Sequence, residues 1–167
     1  MPLDASASPP SLSAPWVRVM LVKDPQGSYY PAIHSSQEVI NLSQDMLSLD
    51  REEFRILLLN AKHKVMGVHT VSIGSLTVSI VHPREVYKAA ILANAAAIIG
   101  VHNHPSGTSD PSPEDRALTK RLSEAGTLLG ITLLDHVIIG QNSHYSFADH
   151  GQLVPSSQQY PTPVSPG

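Results

Sequence analysis

The chain has 167 residues, 41% of them hydrophobic, enough for one domain around a single packed core. Its net charge is −3 and its eleven lysines and arginines are scattered, which argues against the basic face of a nucleic-acid binder. The absence of cysteine excludes disulfides, zinc–thiolate sites and thiol nucleophiles, and neither a signal-type N-terminus nor a lipid-spanning run is seen, so a cytoplasmic protein is expected.

Residues 1–15 and 154–167 are rich in Pro and Ser and are expected to be flexible, leaving 16–153 as the folded unit. Within it, Val17–Lys23 alternates loosely and predicts a strand, followed by a turn at Asp24-Pro25-Gln26-Gly27. Ser35 or Ser36 caps a predicted helix over about 37–48, with Val39, Ile40, Leu42 and Met46 as its apolar stripe. Strands follow at Phe54–Leu59 and about 65–73, with a turn through Ala61–Lys64 between them, and Leu76–Val81 reads as another extended piece. Pro83 opens a helix that runs through Ala93. The run 96–101 is apolar and β-branched and reads as a buried strand. A helix from Pro113 to about Gly126 comes next, then a long strand at Ile131–Ile139 and a closing one at His144–Phe147. Hairpins alternate with helices, which predicts a mixed α/β (α+β) sheet rather than a doubly wound parallel one.

The most informative stretch is His102-Asn103-His104-Pro105-Ser106-Gly107, followed by Ser112-Pro113-Glu114-Asp115. Side chains two apart on a strand point the same way, so His102 and His104 face one point as the strand ends. Ser112 suits the N-cap of the next helix, Pro113 its first position, and Asp115 its third. Ser-Pro-Glu-Asp is also simply a capping box, and that reading stands beside the functional one. Two neutral imidazoles and a carboxylate suit catalytic zinc, with the fourth position left to water, which predicts a metal hydrolase.

These residues give the chain its resemblance to the RadC-type JAB/MPN domain, over about 16–153. The JAMM metal pattern of that family is an upstream Glu, His-x-His-Pro and Ser-x-x-Asp; Glu52, His102, His104, Pro105, Ser112 and Asp115 match it. Val81–Val86 and Leu133–Gly140 match RadC-like chains in particular. The resemblance implies a cytidine-deaminase-like sheet flanked by helices and a short form without the N-terminal helix-hairpin-helix region of longer members. It implies a zinc metallopeptidase in which His102, His104 and Asp115 hold the ion and Glu52 is the general base. Ser112 would donate to the developing oxyanion. From the residues alone Asp50-Arg51-Glu52-Glu53 is equally a solvated cluster, and Glu53 rivals Glu52 because a one-residue shift reverses the face. The family's spacing to an aromatic, here Phe54, selects Glu52.

His136, inside an apolar strand, reads as a hydrogen-bonded core residue, and Asp135 as a candidate for orienting a ligand imidazole. His82 reads as a strand end. His34, His63, His69, His144 and His150 carry no partner spacing. The loop from Gly107 to Pro111 reads as a rigid turn, with a gate as the alternative. The expected partner is a protein or peptide substrate, with no membrane and no direct DNA contact: Arg116, Lys120 and Arg121 are diluted by Glu114, Asp115 and Glu124. The alternatives are a non-catalytic MPN binding module, which retention of all the ligands argues against, and a DNA-repair or mobile-element accessory.

Overall fold

Strand-forming segments from across the sequence meet in one mixed sheet. The computed structural model describes residues 14–24, 32–74 and 81–153. Among the described residues the strands are β1 (Glu53–Leu59), β2 (Val65–Ile73), β3 (Ala97–Asn103), β4 (Thr132–Ile139) and β5 (His144–Ser146), in the spatial order β2-β1-β3-β4-β5. β1 is antiparallel to both β2 and β3, β3 and β4 are parallel, and β5 returns antiparallel to β4. A parallel pair needs a crossover, and α3 (Pro113–Leu129) supplies it.

Period-two alternation sorts the side chains to two faces. On one, Phe54, Ile56, Leu58, Ile98 and Ile138 pack with Val86, Tyr87 and Ala90 of α2 (Pro83–Leu92) and with Leu118 and Leu122 of α3. On the other, Leu57, Leu59, Ile99, Val101 and Val137 meet Val39 and Ile40 of α1 (Ser36–Leu42) and Met46 of the 3₁₀ turn Gln44–Ser48. β3 is buried along its whole length. That double burial is why its sequence reads as an apolar run rather than an alternation.

The structure corrects several expected elements. Val17–Lys23 is not a strand: the segment has no regular structure, and Trp16, Val17, Val19, Met20 and Val22 are largely exposed. It has β propensity but no ladder partner among the described residues, and propensity without pairing does not make a strand. The helix after Ser35 is shorter than expected. The Ser35 hydroxyl caps it by accepting from the Glu38 N–H, but the α-helix stops at Leu42. Ser43 N–H then bonds back to the carbonyl of Ile40, the chain tightens into the 3₁₀ turn, and Met46 enters the core. Of the piece expected at Leu76–Val81, only Val81 is among the described residues, and it is buried. The flexible segments expected at the ends lie outside the described residues, apart from Ala14 and Pro15, which are exposed. No helix among the described residues is long and apolar enough to cross a membrane.

α3 continues past Gly126, where the sequence suggested a stop, and ends at Gly130 in a left-handed conformation (φ 69°). Gly126 serves packing instead. A Cβ there would lie 2.4 Å from the Tyr87 hydroxyl oxygen and 2.5 Å from the carbonyl oxygen of Ile131. Tyr87, whose hydroxyl donates to the Leu122 carbonyl at 2.8 Å, depends on that gap. Gly126→Ala should therefore destabilise the protein by about 1–3 kcal/mol through overpacking, although alanine is the better helix former by about 1 kcal/mol. Urea denaturation measures this, and a gain in stability would contradict the tight α2–α3 contact.

Candidate metal centre

β3 carries the histidines to the edge of the core. His102 lies within the strand, opposite Phe54 of β1, and is fully buried; His104 follows the strand's last residue and is partly exposed. The loop after His104 is tied to the end of β4 by hydrogen bonds. His104 N–H bonds to the Ile139 carbonyl, Gln141 N–H to the Gly107 carbonyl, and the Ser109 hydroxyl donates to that of Ser143 at 2.9 Å. Gly140 permits this seating, because a Cβ there would lie 2.5 Å from the carbonyl oxygen of Gly107.

α3 then begins with the predicted capping box. The Ser112 hydroxyl accepts from the Asp115 N–H at 3.1 Å, and Asp115 Oδ2 accepts from the Ser112 N–H at 2.8 Å. The same carboxylate faces the histidines. Asp115 Oδ1 lies 3.2 Å from His102 Nε2, Oδ2 lies 3.4 Å from His104 Nε2, and the two Nε2 atoms are 2.9 Å apart. The capping side chain is thus also the one that faces both histidines. His102, His104 and Asp115 form a group able to hold a metal ion, with their ligand atoms all within 4.8 Å of one another.

The electrostatics suit a cation. His104 Nδ1 is 2.9 Å from the Thr108 carbonyl, which can only accept, so Nδ1 carries a proton. Burial pushes His102 below its ordinary pKa, outweighing the upward pull of Asp115, and keeps it neutral. Burial acts downward on His104 as well, but the hydrogen bond and charge of Asp115 hold it above its ordinary value. Burial works against ionised Asp115, yet its contacts with the two imidazoles keep the carboxyl well below the usual carboxylate range.

Glu52 and Glu53 part company. Glu53 opens β1 and its carboxylate receives Arg55 Nη2 at 2.8 Å and Nε at 2.9 Å. Glu52, just before the strand, lies near enough for its charge to favour the protonated forms of both His102 and His104. The Ser112 hydroxyl stands beside the centre, but it donates its proton to Asp115 Oδ2 at 2.9 Å.

Two neighbours had no place in the expected site. Asn103, between the histidines, points to the opposite face and is buried. Its Oδ1 accepts from the Glu53 N–H at 2.8 Å and its Nδ2 donates to the Arg51 carbonyl at 3.0 Å. It thereby brackets both peptide groups that flank Glu52, whose own carbonyl accepts from the Gly74 N–H. A polar residue on a buried strand was the available signal, since such a side chain needs partners. The second is His136 on β4, read as a hydrogen-bonded core residue. It is one, and its partner is a candidate ligand: His136 Nε2 lies 2.7 Å from His102 Nδ1. Asp135 has different contacts, accepting from the His136 N–H, the Ser146 hydroxyl and the Ala148 N–H. These bonds tie β4 to the turn after β5. His82 caps α2, its Nδ1 accepting from the Arg84 N–H.

Comparison with known proteins adds ancestry to this geometry. A family model described as the RadC-like JAB domain matches residues 33–152. The UPF0758 protein of Caldanaerobacter subterraneus subsp. tengcongensis is 51% identical over 132 residues, covering 78% of this chain and 56% of that protein. The UPF0758 protein of Alkaliphilus metalliredigens is 53% identical over 122 residues, covering 72% and 53%. That of Thermotoga maritima is 44% identical over 121 residues, covering 72% and 54%. The chain spans about half the length of the curated relatives it matches. On the extent of the model match and the level of these identities, the chain belongs to the RadC-like JAB domain family.

Proposed function

We propose that this chain is a zinc-dependent hydrolase of peptide or isopeptide bonds. One observation carries the reading: two imidazole Nε2 atoms and a buried, ionised carboxylate converge at the edge of the core. Such a cluster of electron pairs calls for a cation. Two nitrogens and one oxygen suit zinc and leave a coordination position for water, the arrangement of catalytic rather than structural sites. Bound there, zinc would polarise a water molecule and lower its pKa toward neutrality.

The chain's own residues divide the remaining work. Glu52 takes the proton of the attacking water and returns it to the leaving amine. Its charge already acts on both ligand imidazoles, whereas Glu53 is engaged by Arg55. Ser112 is the candidate donor to the developing oxyanion, and the proton it would give is the one it now gives to Asp115. Phe54 and Phe147 flank the buried side of the centre and keep water from it, so a substrate approaches from the side of His104. The substrate class in this reading is a protein or peptide.

Elemental analysis of the purified protein should find one zinc per chain. His104→Ala should remove it, and stoichiometric zinc in a His102→Ala/His104→Ala double variant would overturn the ligand assignment.

Glu52→Gln should keep the metal yet lose about a hundredfold or more of the hydrolysis measured on a fluorogenic peptide library and an ε-lysyl isopeptide substrate. Glu53→Gln should leave that rate near wild type. The reverse pattern would give the base to Glu53.

A further inference from the structure

We propose that His136, with Thr119 behind it, is a positioning residue that fixes His102 in the one tautomer able to bind metal. The inference rests on the metal-centre reading above, and its first test does not need the metal.

His136 is fully buried and stacks on Phe147, with ring centroids 5.1 Å apart and planes 5° from parallel; the edge of Phe54 closes its other side. In so apolar a slot a hydrocarbon side chain would serve packing alone, and an imidazole there needs partners for two ring nitrogens. It has both. Nε2 lies 2.7 Å from His102 Nδ1, and Nδ1 lies 2.6 Å from Thr119 Oγ1. Thr119 Oγ1 in turn donates to the backbone carbonyl of Asp115 at 2.7 Å.

The direction of these bonds follows from the last of them. A carbonyl oxygen only accepts, so the single hydroxyl proton of Thr119 goes to Asp115. Toward His136 the threonine is therefore an acceptor, and His136 Nδ1 carries a proton. Neutral imidazole has only one, so His136 Nε2 is an acceptor, and His102 Nδ1 must donate to it. His102 Nε2 is left with its lone pair, facing Asp115 Oδ1 and His104 Nε2. Both rings are fully buried, His136 between two phenyl rings, where an unpaired charge is costly and the neutral ring is the cheaper form. The chain begins at the backbone of one ligand and ends at the ring of another, so the helix start and the strand end are set relative to each other by the same bonds. Outer partners of this kind typically change metal affinity by about 10–100-fold when removed.

Two measurements decide it. In metal-free protein labelled with ¹⁵N-histidine, two-bond nitrogen–proton spectra should show the proton on Nδ1 in both His102 and His136. A proton on Nε2 of His102 would overturn the inference whether or not the protein binds zinc. Zinc affinity by chelator competition should fall about 10–100-fold in His136→Leu. It should stay near wild type in His136→Gln, whose amide oxygen can replace Nε2 as acceptor. Equal affinity in His136→Leu and wild type overturns the positioning role. If His136→Leu does not fold, Thr119→Val, which removes the hydroxyl at nearly constant shape, takes its place. Weaker zinc binding there, with His136→Gln near wild type, supports the relay; unchanged binding overturns it. A wild-type protein that binds no zinc defeats the metal-centre reading, while the nitrogen spectra still decide the tautomer.

Discussion

The carboxylate of Asp115 is held by the same peptide group that starts α3, and the rest of the centre depends on that constraint. Its Oδ2 closes the capping box with Ser112 while both of its oxygens face the histidines. An N-cap interaction is ordinarily worth about 1 kcal/mol of stability. Here it also fixes a carboxylate that a free side chain would leave to several rotamers. The N-terminal end of a helix favours negative charge, so the position that orients the carboxylate also helps keep it ionised. The helix start and the candidate metal site share one set of hydrogen bonds.

The opposite wall is set by burial. β3 lies between β1 and β4 with both faces covered, and this delivers His102 into a region from which water is excluded. Low polarity around His102 and His136 removes the protonated forms that would compete with a metal. His104, by contrast, sits at the rim, tied through its other nitrogen to the Thr108 carbonyl. The centre therefore has a dry side at His102 and an open side at His104. The turn from His104 to Ser109 is hydrogen-bonded to the end of β4 and the turn before β5, which ties His104 to the sheet.

How legible each part was depended on how local its cause is. His102, His104 and Asp115 lie within fourteen consecutive residues, and a strand end, a Gly/Pro turn and a capped helix start are all written in those residues. Glu52 is fifty positions away. Alternation separates it from Glu53 but does not say which faces His102; only the pairing of Phe54 with His102 across two strands does that. His136 was recognisable as a buried polar residue, but its partner depended on the parallel register of β3 and β4, which places it opposite Gly100. Val17–Lys23 failed for the same reason in reverse: a strand needs a neighbour, and its own sequence does not supply one. Gly126 misled because glycine ends helices more often than it opens space between them.

Asn103 has a consequence for how the chain finds its fold. Its amide is satisfied only when the peptide groups on either side of Glu52 stand opposite it. If β1 slid by one residue along β3, Glu53 would arrive where Glu52 belongs, and a buried amide would lose partners at a cost of about 1–3 kcal/mol. The misaligned chain would thus be penalised in folding itself. One side chain between His102 and His104 proofreads the strand pairing, and a folded molecule with Glu53 in the place of Glu52 is made scarce by thermodynamics.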